Sequence, residues 1–143
     1  MFSFEKMLAW QKAVEWSDSI FDVADRLHQK YQFSFGDQLR RACLSVSNNL
    51  AEGSGRRTPA GQRYFYDVAH GSIYEVVSVL AILKRRDLLP ADEYDKLYKQ
   101  GDEVASIVYG LSRATFEAEK KQESRSRVVR EPGAEYGLPD ELQ

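Results

Sequence analysis

Apolar residues that return at alternating steps of three and four, over four separate stretches, constrain this chain more than any other feature. In the first stretch Trp10, Ala13, Ser17, Ile20, Ala24, Leu27 and Tyr31 keep that rhythm without interruption. Such spacing places one apolar stripe along about 30 Å of helix. In the second, Leu39, Cys43, Val46 and Leu50 share a face between Gly36-Asp37 and Gly53, and Gly53 reads as the left-handed residue that commonly ends a helix. Thr58 as N-cap and Pro59 at the first helical position then open a third helix that runs to about Arg86.

The third stretch has the seam Phe65, Ala69, Ser72, Val76, Val79 and Leu83, and Val68, Ile73, Val77 and Leu80 widen it beyond half the circumference. A helix that is apolar over so wide an arc is buried on two sides. The fourth follows Pro90 and several acids, which favour a helix N-terminus, and repeats the rhythm in Tyr94, Leu97, Gly101, Val104, Val108, Leu111 and Thr115. Four long amphipathic helices with short connections predict an all-α fold, an up-and-down antiparallel four-helix bundle over residues 1–121. Small residues on the seams (Ala13, Ser17, Ala24, Ala69, Ser72, Gly101) predict close helix approach. Beyond Lys121 the seam fades, and 122–143 reads as a flexible charged tail.

At 143 residues and 43% hydrophobic, the chain is long and apolar enough for one domain with a real core. The lone Cys43 excludes an internal disulfide and reads as a small reduced core residue. Charged residues in the first twenty positions argue against a secretory signal, and no run of roughly 18 uncharged apolar residues exists to cross a membrane. A cytoplasmic protein without membrane contact is therefore expected.

The second helix carries a polar stripe beside its apolar face: Arg41, Ser45, Asn48 or Asn49, and Glu52, facing Ser72 and Glu75 of the third. Half-buried polar groups need partners, so this seam predicts a hydrogen-bond network between helices or between subunits. As an active site it would need a nucleophile and base, and no such pair accompanies the carboxylates. Metal binding in a four-helix bundle would call for Glu-x-x-His pairs, which the chain lacks. Its Asp25/His28 and Asp67/His70 pairs point mainly outward in helical projection. Neither a metal nor a cofactor is expected.

Net charge is −2, yet the charges are uneven. Five arginines against two acids lie between Gly36 and Tyr66, and six acids against two lysines between Asp87 and Glu103. The loop Gly53-Ser54-Gly55-Arg56-Arg57-Thr58-Pro59 lacks the Gly-Lys-Ser/Thr of a Walker A loop. Its amides and arginines, helped by Arg40, Arg63, Lys84, Arg85 and Arg86, instead suit an RNA or DNA backbone. Leu44, Tyr74 and Ile82 stand off the seams and predict a contact between subunits.

The runs Gln38-Leu39-Arg40-Arg41-Ala42, Ser45-Val46, Asn49-Leu50-Ala51-Glu52-Gly53 and His70-Gly71-Ser72-Ile73-Tyr74-Glu75 resemble the "four helix bundle protein" family. That family was first met as proteins encoded in intervening sequences of 23S ribosomal RNA genes and includes the accessory variability determinant of diversity-generating retroelements. The resemblance covers roughly Leu8 to Leu111. It implies an up-and-down bundle that assembles as a homopentamer, and, through the retroelement accessory protein, binding of nucleic acid and a reverse transcriptase on a basic surface. Ser47 stands where family members often carry Pro, so a straighter second helix is expected here. The resulting expectation is a non-enzymatic homo-oligomer that contacts RNA, DNA or a nucleic-acid-processing protein. The alternative is a purely protein-binding scaffold.

Overall fold

A computed structural model describes residues 1–130. A 3-10 turn (Ser3–Lys6) leads into α1 (Leu8–Arg26), followed by α2 (Asp37–Ser54), α3 (Pro59–Arg85) and α4 (Ala91–Arg130). Among the described residues there is no strand. The helices form a ring of neighbours, α1 on α2, α2 on α3, α3 on α4 and α4 on α1, as an up-and-down bundle requires. All six small seam residues are buried, Gly101 among them. α3 has the length and mean hydropathy of a membrane-crossing segment, and its packing against both α2 and α4 accounts for that apolarity.

The seams differ from the sequence in phase at two places. Trp16, rather than Trp10, is the fully buried tryptophan of α1, and Tyr66 is buried where Phe65 is only partly so. Each seam is one residue wider than the strict alternation, which is the usual width of a core-facing stripe in a globular bundle.

α1 also stops earlier than its rhythm. Leu27 turns to extended backbone (φ −63°, ψ 143°), and a 3-10 turn (Gln29–Tyr31) and a π-helical turn (Gln32–Gly36) carry the chain into α2. The Gln32 side-chain amide donates to the carbonyls of Ala24 (2.9 Å) and Leu27 (2.8 Å), so it satisfies groups that a helix end leaves without partners. Its oxygen accepts from Arg40 at 2.7 Å.

Gly53 does not end α2 in a left-handed conformation. It lies inside the helix, buried, and a Cβ there would come within 2.7 Å of the Tyr66 ring and 3.1 Å of Phe65 Cβ. The glycine is needed for close approach to α3. Beyond it, Thr58 accepts from the Gly61 amide at 3.1 Å and Pro59 takes the first position of α3, as the sequence predicts. α3 ends at Asp87 in the left-handed region (φ 57°), where the Leu88 amide reaches back to Leu83 O (2.9 Å) and Asp87 to Lys84 O (3.1 Å). This is the Schellman arrangement with Asp in the place usually held by Gly.

The first part of the stretch read as a tail is helical. α4 continues nine residues past Lys121 to Arg130, with every residue from Lys120 onward exposed. The remaining part of the predicted tail, 131–143, lies outside the described residues.

Candidate nucleic-acid and self-association surfaces

The polar seam resolves into a one-way hydrogen-bond chain. Asn49 Nδ2 donates to Ser45 Oγ (3.1 Å) and Ser45 O (2.7 Å), Ser45 and Ser72 hydroxyls meet at 2.7 Å, and Ser72 Oγ donates to Val68 O at 3.1 Å. Each hydroxyl gives one proton and takes one, and the chain ends on a backbone carbonyl. Such a relay ties α2 to α3 and leaves no free base within it. The other seam residues stand apart: Glu52 pairs with Arg56 (2.6 Å), Glu75 accepts from Gln38, and Arg41 is exposed without an ion pair or side-chain hydrogen bond among the described residues. The two carboxylates thus share no partner.

The Asp-x-x-His pairs are likewise occupied. Asp25 pairs with Arg40, His28 Nδ1 accepts from the Lys30 amide, Asp67 accepts from Ser112, and His70 lies against Tyr74 and Tyr109. Among the described residues no three His, Cys, Asp or Glu side chains converge as metal ligands would. Cys43 is buried, and desolvation pushes its thiol up to about 12, with the Ser17 side chain acting weakly the other way.

The seven basic residues divide between the two ends of the molecule. Arg56, Arg57 and Arg63 sit where α2 passes to α3; Lys84, Arg85 and Arg86 sit at the far end of α3, roughly 40 Å of helix away. Arg40 lies at the start of α2, on that second side. Three of the seven have an ion pair, and a fourth lies over an aromatic ring. Arg40 pairs with Asp25 (2.7 Å) and Asp37 (3.6 Å), and Arg63 with Glu119 (2.7 Å) over the Phe116 ring. Arg56 pairs with Glu52 over Phe65, and Lys84 lies over Tyr94. Arg57, Arg85 and Arg86 are exposed and have no ion pair among the described residues. Lys30 and then Arg86 hold the Tyr31 hydroxyl below its ordinary range, which puts two cations at one phenol.

A further set of cations is missing from the sequence prediction. Lys120, Lys121, Arg125, Arg127 and Arg130 all stand on the exposed extension of α4. The signal for a helix was present in the spacing of Glu117 to Lys121 and Glu123 to Arg127, since acid four residues before base supports a solvated helix.

Exposed apolar groups gather on the outer side of α3 and α4. Tyr74 (66% exposed) and Tyr98 (49%) flank an open groove of about 320 Å³ floored by Val77, Ala81 and Ala105, and Ile82 and Tyr109 are further exposed apolar groups of the same two helices. Leu44 of α2 is half exposed on a different side of the bundle.

A comparison with curated proteins gives no match. Among solved structures, the chain is similar to a protein of unknown function from the S23 ribosomal protein family of Bacteroides thetaiotaomicron. That match has 17% identity and a TM-score of 0.69, covering 74% of this chain and 96% of the other. At that identity the likeness concerns the fold. The model of the 23S rRNA-intervening sequence protein family matches residues 5–110, which take in α1, α2, α3 and the packed half of α4. The chain belongs to that family.

Proposed function

We propose that the protein is a non-enzymatic scaffold that associates with copies of itself and contacts RNA, or a nucleic-acid-processing protein, through its arginine-bearing ends. The observation that carries self-association is the outer side of α3 and α4, where the exposed Tyr74 and Tyr98 line one groove. Tyrosines gathered on one surface are typical of protein interfaces. A homopentamer is the assembly that the family resemblance supports.

Nucleic-acid contact rests on Arg57, Arg85 and Arg86, whose guanidinium groups have no acidic partner among the described residues, and on the cations of the α4 extension. The absence of catalysis is argued from the seam: its hydroxyls end on a carbonyl, and Glu52 and Glu75 are engaged by Arg56 and Gln38. The cytoplasm is the compartment that suits a buried reduced Cys43.

Light scattering tests the first part, with a multimer expected at micromolar concentration. Fluorescence anisotropy with structured RNA and duplex DNA across a salt series tests the second. Binding should weaken as salt rises, and Arg57→Ala/Arg85→Ala/Arg86→Ala should bind less with a shallower slope. No binding at low salt would reject the nucleic-acid reading in favour of a protein-binding scaffold.

A further inference from the structure

We propose that the groove between α3 and α4 receives the outer face of α2 from a second copy, with Leu44 on the groove floor and Arg41 against Asp102. This rests on the self-association proposed above and specifies its surface. The groove exists because Ala81 and Ala105 are too small to fill the outer seam, while Tyr74 and Tyr98 stand up on either side. Asp102 is the acid on its lining, and it has no ion pair or hydrogen bond among the described residues.

The outer face of α2 is complementary in shape and charge. Arg41, Leu44 and Asn48 follow at steps of three and four, so they lie along one line of the helix. Leu44 is 51% exposed, and Arg41 has no ion pair or side-chain hydrogen bond among the described residues. A helix laid into an apolar groove is read through residues at this spacing, with an apolar anchor inside and a charge pair fixing its register. The groove and the α2 face are different patches of one molecule. Their contact is therefore head-to-tail and closes into a ring when the rotation permits.

Gly71 adds an independent hint. It lies mid-helix on the exposed face of α3, two turns before Ser78 of the groove, and a Cβ there would meet nothing within 4 Å. A glycine inside a helix is unfavourable unless something must come close. Nothing within the described chain does.

The test is a charge swap followed by sedimentation equilibrium on the full chain, with circular dichroism to verify that each variant is folded. Arg41→Asp and Asp102→Arg should each raise the dissociation constant about tenfold or more. The double variant should return to within about threefold of wild type, because the pair is restored in reverse order. Single variants that associate like wild type would overturn the groove assignment and leave self-association standing. Weak singles without recovery in the double would overturn the Arg41–Asp102 pairing. A wild-type protein that stays monomeric at micromolar concentration would overturn both readings and assign the groove to a different protein.

Discussion

Trp16 lies directly on Gly101: an ideal Cβ on that glycine would sit 2.7 Å from Trp16 Cζ2, and the indole N–H donates to Leu97 O at 3.0 Å. One aromatic side chain of α1 thereby covers a full turn of α4, and fixes both the distance and the rotation of the two helices. The carbonyl it reaches belongs to the residue four before the glycine, so the hydrogen bond and the close approach depend on the same helical turn.

Gly101→Ala and Gly71→Ala are opposite experiments on chemically identical changes. At Gly101 the new methyl meets a rigid ring, so overpacking should outweigh the helix-propensity gain and cost about 1–3 kcal/mol of stability. At Gly71, where no described atom of the same chain would meet the methyl, the same change should stabilise the dissociated subunit by about 0.5–1 kcal/mol. Urea unfolding measures both. Equal signs for the two would refute the assignment of Gly101 to close packing.

Asp87→Gly should stabilise the protein by about 0.5–1 kcal/mol. Asp87 holds a left-handed backbone at the end of α3, a conformation that costs a side-chain-bearing residue more than glycine. A thermal scan showing a lower midpoint for the variant would mean that the Asp side chain compensates for its backbone.

Cys43 couples stability to alkaline pH. Its folded thiol titrates at about 12, against an ordinary value near 9.0. Its folded pKa is raised, so the stabilisation is complete below pH 9 and is lost as pH rises toward 12. In that window the unfolded chain has released a proton that the folded chain keeps, and each pH unit removes up to about 1.4 kcal/mol. Wild type should therefore lose stability between pH 9 and 10.5 more steeply than Cys43→Ala, which cancels the lysine and tyrosine titrations common to both. Iodoacetamide should leave the native thiol unmodified at pH 8 and label it in urea.

Ser72→Ala removes the link in the relay from Asn49 through Ser45 to the Val68 carbonyl. The expected cost is about 1 kcal/mol, a typical net value for a half-buried hydroxyl pair. A loss near zero in urea unfolding would show that the Ser45 hydroxyl finds another acceptor.

The four seams were legible because apolar periodicity records which face of a helix is buried, and small residues such as Gly101 record where helices approach. The break after Arg26 was not. No Gly or Pro marks it, the seam positions Ala24 and Leu27 stay buried across it, and the stop is a side-chain amide, Gln32, five residues beyond Leu27. Gly53 was misread because glycine serves both as a helix terminator and as a point of close contact. Only the position of Tyr66, thirteen residues later, decides between the two.

The candidate site was read from neighbours in the chain, and distance in the fold separates them. Arg63 and Arg85 share α3 yet lie at its opposite ends. The acids nearest Arg40 and Arg63 come from other parts of the chain, Asp25 at the end of α1 and Glu119 on α4. Sequence proximity carries no information about such pairs.

The extension of α4 is a helix seeded from one end. Forming a first helical turn in water is unfavourable and adding to an existing one is nearly neutral, so the packed half of α4 acts as a nucleus for the roughly 16 Å from Glu119 to Arg130. Its order then decays outward residue by residue instead of melting as a unit. Amide hydrogens near Lys120 should exchange slowly and those near Arg130 fast, and a ligand gripping the far cations would lengthen the ordered arm like a zipper being drawn up.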